Sequence, residues 1–340
     1  MERLKGLDGI RGPLAVFVAL SHAYSHFTGW GTGYNFFKNA TFAVDVFFML
    51  SGMVLYHNYH NRERDGFVQK FLRARVLRLL PMNVLAMILI PACLLISTGE
   101  AFPGWVGTPS LTKIVSDLFL INNFSGLVPY INPPTWSISS EMFMGSVVVL
   151  LCCFRFYMSI IILLADLLVM FLTNFKSHDI VNPVYYIFTG GMIRCAFGIS
   201  LGIIAYKIAT KLTVNPAACN LFNKLAPYAL FFILIIMVGV RLSTLQYVLV
   251  TCILALTIAM ISMRESSVSW LLDSAPLREL GYRSYSIYLL HTPVIYLFLF
   301  LKSDNLSYNV FFASLAVLLT IFISKYTTRH IESPFTKIMK

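Results

Sequence analysis

The sequence predicts an all-α polytopic membrane protein of about ten transmembrane helices, with both termini in the cytoplasm. Hydrophobic residues make up 58% of the 340 residues, and charged residues only 12%. Soluble proteins average roughly 45–50% apolar and about 25% charged residues. The mean hydropathy of +0.75 agrees with this reading. The composition excludes secreted hydrolases, soluble nucleotide-binding enzymes and disordered tails as descriptions of the whole chain.

Ten segments are apolar for long enough to cross a bilayer, which takes about 20 residues. They are residues 11–30, 42–59, 82–98, 136–154, 157–173, 185–206, 227–241, 245–263, 284–301 and 307–327. The apolar segment 111–128 is shorter and is interrupted by polar residues, so we expect a re-entrant or interfacial piece there. The first span lacks a clear small-residue cleavage site and carries two histidines, so it is not predicted to be a cleaved signal peptide.

The distribution of basic residues predicts the orientation. With the N-terminus inside, 20 of the 26 Lys and Arg residues lie at cytoplasmic ends, 5 lie at the opposite ends and Arg194 lies within a span. Cytoplasmic loops collect Lys and Arg, so the net charge of +11 indicates a multi-pass protein of the inner (plasma) membrane and no nucleic-acid partner. The spans leave no room for a separate soluble domain, and residues 1–340 are expected to form one transmembrane domain.

Ionisable side chains in the bilayer core cost about 2.5–3.5 kcal/mol each on insertion scales, which makes them functional candidates. Arg11 begins the first span, and His22 follows eleven residues later on the same helix face, about 16 Å away. A snorkelling anchor at Arg11 and a helix-packing hydrogen bond at His22 stay open as structural explanations. His22 and His26 have the spacing of a zinc-binding pair but lack the glutamate of an HExxH motif, and we predict no metal site.

Two carboxylates are candidates for orienting His22: Glu141, which can share its depth, and Asp45, which is predicted near the outer face. Asp45 lies at the start of the second span, and Glu141 follows Trp136-Ser137-Ile-Ser-Ser at the start of the fourth. A carboxylate beside a histidine can orient it and stabilise its charged form. We therefore expect Glu141 or Asp45 to orient His22, while an interfacial anchor stays open for Asp45.

Further charged residues follow two patterns. Arg73, Arg75 and Arg78 lie between the second and third spans, where an arginine cluster suits a polyphosphate group. The alternative is ordinary positive-inside charge. Asp166 and Arg194, near the middle of adjacent spans, are expected to form a structural ion pair.

Five motifs together resemble the acyltransferase-3 family of integral-membrane O-acyltransferases. They are Leu7-Asp-Gly-Ile-Arg11-Gly with His22, Asp45-Val-Phe-Phe-Met-Leu-Ser-Gly52, the arginine-rich segment from Arg73 to Pro81, Trp136-Ser-Ile-Ser-Ser-Glu141-Met-Phe, and Tyr285-Ser-Ile-Tyr-Leu-Leu-His291-Thr-Pro293 with the final Ile331-Glu-Ser-Pro-Phe. Each motif alone is weak, but their order and spacing together are specific and cover nearly the whole chain.

The resemblance implies ten core spans, essential roles for Arg11 and His22, and transfer of an acyl group from cytoplasmic acyl-CoA. The group is usually acetyl, and the acceptor is typically a hydroxyl of an extracytoplasmic or lipid-linked carbohydrate. Many relatives append a periplasmic SGNH-type domain; none is expected in this chain, which favours direct transfer. We expect acetyl-CoA as donor substrate with no bound cofactor, and acyl-CoA, a carbohydrate or glycolipid acceptor and membrane lipid as partners.

The geometry expected from the residues fits this activity. Arg11 and the arginine cluster would bind the donor phosphates, and His22 would act as general base. Trp136, Ser137 and His291 would support the site or face the acceptor. A proton-coupled secondary transporter could use the same buried residues as a proton relay, although the sequence shows no internal repeat. A third hypothesis for the function is a metal- or lipid-binding structural protein.

Overall fold

The structure is a computed structural model that describes residues 6–30, 33–34, 37–62, 65–123, 131–176, 180, 183–185, 188–238, 242–262 and 266–337. Its helices are α1 (Leu7–Thr28), α2 (Thr41–Tyr59), α3 (Phe67–Thr98), α4 (Leu111–Leu118), α5 (Thr135–Ser140), α6 (Ser146–Phe154), α7 (Met158–Leu172), α8 (Gly190–Leu212), α9 (Pro216–Val238), α10 (Thr244–Ile261), α11 (Ser269–Leu272), α12 (Ala275–Tyr282), α13 (Ser284–Leu297), α14 (Leu306–Thr327) and α15 (Ser333–Lys337). Two π-helical turns, Glu141–Gly145 and Thr328–Glu332, and a 3₁₀ turn, Leu299–Leu301, complete the helical part.

A helix lies on each of the predicted spans, which confirms an all-α membrane protein. In the described part of the chain, six helical stretches are long and apolar enough to cross a membrane by length and composition. They are Phe67–Thr98, Thr135–Phe154, Gly190–Leu212, Pro216–Val238, Thr244–Ile261 and Leu306–Phe335. The full number of ten crossings and the cytoplasmic position of both termini stay predictions.

Two boundaries differ from the predicted ones. The third helix begins at Phe67 and not near residue 82, so the arginine-rich segment is its first half. Hydropathy does not include this half in the span because its charged residues lower the mean hydropathy. The helix continues through Pro81. At the start of the sixth predicted span, two short strands precede α8. The strand Pro183–Tyr185 pairs antiparallel with the strand Phe188–Thr189.

The segment 111–128 contains the short helix α4, followed by a polar turn. Asp117 at the end of α4 is buried. Its carboxylate accepts hydrogen bonds from Asn122 Nδ2 at 3.0 Å and from the Ile131 amide at 2.6 Å. Asn83 of α3 donates to the Asp117 main-chain carbonyl at 2.8 Å. Polar side chains therefore satisfy this buried turn, while residues 124–130 lie outside the described part of the chain.

Close helix contacts at glycines form the centre of the molecule. A methyl group added at Gly202 of α8 would lie 2.0 Å from the Met49 carbonyl oxygen of α2, and one added at Gly52 would lie 2.3 Å from the Ile199 carbonyl oxygen. Small residues allow helix backbones to approach this closely. Gly52 and Gly202 therefore bring α2 and α8 into close contact, with α8 as the central partner of α2.

Candidate active site

Helices α1 and α13 run side by side and parallel. A methyl group added at Gly12 of α1 would lie 2.7 Å from the Gly281 amide nitrogen, just before α13. Ten residues further along each segment, His22 of α1 contacts His291 of α13. Gly281 lies in α12, so the equal spacing aligns α1 with α12 at Gly12 and with α13 at His22.

The two histidines form a direct hydrogen bond. His22 Nδ1 and His291 Nε2 are 2.8 Å apart, so one ring donates and the other accepts. His291 is fully buried, whereas His22 is partly exposed. With its Nδ1 engaged, His22 has Nε2 as the ring nitrogen left for another partner. The contact fixes the orientation of the His22 ring from one side.

Glu141 is engaged elsewhere. Its Oε1 accepts hydrogen bonds from Arg75 Nη1 at 3.0 Å and from Ser51 Oγ at 2.9 Å. Arg75 Nη2 also donates to the Glu141 main-chain carbonyl at 2.9 Å, at the start of the π-helical turn Glu141–Gly145. A π-helical turn interrupts the regular carbonyl pairing of an α-helix. Arg75 thus bridges both the side chain and the main chain of Glu141.

Asp45 forms a buried ion pair with Arg194. The distances are 3.0 Å from Arg194 Nε to Asp45 Oδ1 and 2.8 Å from Nη2 to Oδ2, and the Tyr247 hydroxyl donates to Oδ1 at 2.9 Å. The predicted pairing of Arg194 with Asp166 is therefore wrong. Arg194 faces Asp45 because α2 and α8 pack closely through glycines.

The expected orientation of His22 by Glu141 or Asp45 must also be corrected. Within the described residues, the hydrogen bond to the His22 ring comes from His291, and neither carboxylate takes part. Glu141 and Asp45 each have an arginine partner instead. Similar depth in the membrane did not bring the carboxylates to the histidine, because both are bound by cations on neighbouring helices.

A cavity lies between α1, α2, α5 and α13. Its lining residues are Arg11, Val44, Phe47, Phe48, Ser51, Ser137, Ile138, Glu141, Ser284, Tyr285 and Tyr288. The Tyr288 hydroxyl is 2.9 Å from Ser137 Oγ, and the Tyr288 ring contacts His291 with centroids 5.9 Å apart. The cavity therefore extends from Arg11 to the neighbour of the histidine pair.

The predicted donor-binding arginines have different environments. Arg73 is exposed, Arg75 is buried against Glu141, and Arg78 is partly exposed. Arg78 lies close enough to Arg11 for their charges to interact. In the described residues neither Arg11 nor Arg78 forms a direct ion pair with a carboxylate. Arg11 and Arg78 are thus the cations at this end of the cavity without a direct ion pair in the described residues. The charges of Glu141 and Glu332 also act on both.

Among the remaining predicted residues, Ser137 lines the cavity and Trp136 does not. The Arg194 guanidinium lies over the Trp136 ring at 5.3 Å, so Trp136 packs on the Asp45–Arg194 pair. The sequence analysis missed Tyr285 and Tyr288 as lining residues. Tyr285 lies six residues and Tyr288 three residues before His291, and this spacing would have placed all three near one face of a helix.

The fold and this site define a membrane protein with a charged cavity that leads to a buried histidine pair. The family model described as an acyltransferase domain, that of acyltransferase-3, matches residues 4–328. The chain therefore belongs to the acyltransferase-3 family.

One similar curated protein is "Protein 2 in picA locus" from Rhizobium radiobacter, with 42% identity over 93 residues. The match covers 27% of this chain and 46% of that protein, so the chain spans about half the length of the relative. No solved structure matches this chain.

Proposed function

We propose that this protein is an acyltransferase that moves an acetyl group from cytoplasmic acetyl-CoA to a hydroxyl of a cell-surface or lipid-linked carbohydrate, in the inner (plasma) membrane. The observation that supports this reaction most strongly is the cavity from Arg11 to Tyr288, whose Tyr288 ring contacts His291 of the His22–His291 pair. A thioester that reached along this cavity would have cations at one end and a base near the other.

The donor phosphates would bind at the arginine end of the cavity. Arginine recognises phosphate oxygens through paired N–H donors. Arg11 lines the cavity, and Arg78 lies near it with its charge uncompensated by a direct ion pair in the described residues. Arg73 is exposed and would assist from the surface. Arg75 would act indirectly, because its guanidinium holds Glu141 at the cavity wall.

The chemical step would be a direct acyl transfer. His22 Nε2 accepts the proton of the acceptor hydroxyl while the hydroxyl oxygen attacks the thioester carbonyl carbon. A C–O bond forms, the C–S bond breaks, and the proton passes from His22 to the leaving thiolate, which gives free CoA. General-base catalysis of this kind contributes about 10²–10⁴-fold.

His291 would position the base. A hydrogen bond on Nδ1 of a catalytic histidine selects the tautomer and the orientation of the ring, so that Nε2 faces the substrate. With Nε2 as the base, the neutral His22 ring carries its proton on Nδ1 and donates it to His291 Nε2 across the 2.8 Å contact. The carboxylate that often serves this purpose would be replaced here by a neutral imidazole.

The test is acetyl transfer in membranes that contain the protein. Radiolabelled acetyl-CoA is added to inverted vesicles, and label is counted in the carbohydrate and glycolipid fraction. We expect His22→Ala to lose transfer by about 10²–10⁴-fold while membrane insertion is kept. His60→Ala is the matched control, because His60 is also partly buried but stacks on Tyr56 instead of His291. Full transfer by His22→Ala would refute the proposed mechanism.

A further inference from the structure

We propose that the aromatic cleft, formed by His26, Trp30, Trp105 and Tyr296, binds a sugar ring of the acceptor and presents its hydroxyl to His22. This inference rests on the proposed function and adds the site of the acceptor. It assigns substrate recognition to residues at the end of α1 opposite Arg11.

The cleft is a continuous series of ring contacts that ends on the catalytic histidine. Trp30 follows α1, and its ring centroid is 5.8 Å from that of His22 and 5.2 Å from that of His26. The His26 ring is 5.3 Å from Tyr296, at the end of α13, and Tyr296 is 5.5 Å from Trp105. Aromatic rings from three parts of the chain therefore form one contiguous series that contacts His22.

The two tryptophans present their rings to the outside. Trp30 is 62% exposed and Trp105 is 59% exposed, whereas Tyr296 beneath them is buried. The partly exposed His22 and His26 lie at the base. A ligand bound on these rings would cover their apolar surface, while its own polar groups could form hydrogen bonds. Ligand sites commonly combine apolar and aromatic lining with a few placed polar groups in this way.

Both the apolar face and the polar edge of a sugar ring suit this arrangement. The C–H bonds of a pyranose form an apolar face that stacks on an indole, while its hydroxyls point outward at the ring edge. The cleft has polar groups for them in the His26 ring and in Lys302, whose ammonium donates to the His26 carbonyl at 3.0 Å. An acyl chain would bring no hydrogen-bonding groups to the histidines, so the mixed lining favours a carbohydrate.

The two ends of α1 would then bind different substrates, the donor at one end and the acceptor at the other. The donor cavity begins at Arg11, and the aromatic cleft begins at Trp30. Their inner ends meet at the pair of His22 and His291, since Tyr288 of the cavity contacts His291 and Trp30 of the cleft contacts His22. Donor and acceptor would reach the same base from opposite directions without sharing a path.

Tryptophans also anchor proteins at membrane interfaces, which is the competing explanation for exposed indoles. The chain offers a matched control in Trp270, which is 77% exposed and lies on α11, away from the histidines. If Trp30 and Trp105 serve only as anchors, replacing Trp270 should have the same consequences as replacing either of them.

Direct binding is measured first, because it does not depend on catalysis. The purified protein in detergent is titrated with methyl glycosides of glucose, galactose, mannose and N-acetylglucosamine, and tryptophan fluorescence is recorded. We expect saturable quenching by at least one glycoside, with the midpoint raised about tenfold in Trp30→Ala and in Trp105→Ala and unchanged in Trp270→Ala. Absence of saturable quenching by the whole panel, or an equal shift in Trp270→Ala, would overturn the inference.

Acetyl transfer then separates acceptor binding from the donor reaction. Trp30→Ala should raise the KM for the acceptor about tenfold and leave the KM for acetyl-CoA unchanged, and Trp30→Phe should restore most of the acceptor KM. A rise in the acetyl-CoA KM alone would overturn the inference. If His22→Ala kept full transfer while glycoside quenching persisted, the proposed mechanism would fail and the sugar site would stand.

Discussion

Replacing Arg75 tests whether this arginine serves the fold or the donor directly. The side chain of Arg75 is 5% exposed and that of Glu141 is 15% exposed, with 3.0 Å between Arg75 Nη2 and Glu141 Oε1. Arg75→Met keeps the apolar stem but leaves the partly buried Glu141 carboxylate, among the described residues, with the Ser51 hydrogen bond and the more distant charges of Arg78 and Arg11. Breaking a buried ion pair in this way costs about 3–5 kcal/mol, and the partial exposure of Glu141 favours the lower end.

The loss should appear as reduced thermal stability. A destabilisation of this size lowers Tm on the order of 5–10 °C. The chain contains free cysteines, of which Cys152 and Cys195 are buried. A thiol-reactive dye added to detergent-purified protein therefore reports unfolding on heating, as those thiols become accessible. Arg73→Met is the matched control on the same helix, since Arg73 is exposed, and its Tm should stay within about 1 °C of the parent because exposed substitutions change stability little.

A second substitution shows whether the unpaired charge is the cause. Glu141→Gln removes the carboxylate charge and keeps a side chain of similar shape, so in the Arg75→Met background it should recover most of the lost Tm. An unchanged Tm in Arg75→Met, together with a raised KM for acetyl-CoA, would refute this reasoning. It would show instead that Arg75 binds the donor phosphates directly.

Two further predictions concern packing and the histidine pair. Gly202→Ala should lower Tm in the same thiol assay by a destabilisation of about 1–3 kcal/mol, because the added methyl would lie 2.0 Å from the Met49 carbonyl oxygen, whereas Gly104→Ala should be neutral because nothing lies within 4 Å of the added group. His291→Ala should lower kcat for acetyl transfer about 10–100-fold with little change in the KM for acetyl-CoA, and His291→Gln should restore part of the rate by hydrogen bonding to His22; equal loss in both variants would point to a packing role.

The sequence could predict the membrane class and the family because both depend on local patterns. Apolar runs of span length and the order of short motifs are visible without knowledge of contacts. The start of α3 was missed because hydropathy measures transfer to lipid, and the arginine-rich first half of that helix is polar. Helix formation itself does not require an apolar segment.

Side-chain partners were harder to predict because they depend on which helices touch. Asp45 and Arg194 are 149 positions apart, and only the glycine contacts between α2 and α8 bring them together. The depth of each residue in its span suggested a carboxylate beside His22. Depth alone does not show which of two helices at that depth contacts α1. The bond from His22 to His291, over 269 positions, depends in the same way on the packing of α1 against α13.

The parallel register of α1 and α13 links these local observations to the chemistry. On α1, Arg11 and His22 lie on one face, and on α13 the residues Tyr285, Tyr288 and His291 follow at intervals of three. Two parallel helices in register keep such faces opposed along their length, so an extended substrate can contact both at each level. The arginine end and the histidine end are then separated by about 16 Å along the helix axis. An acyl-CoA whose phosphates bound at the arginine end would extend along the lining from Arg11 to Tyr288, which contacts His291, and this geometry supports the proposed direct transfer inside the membrane domain.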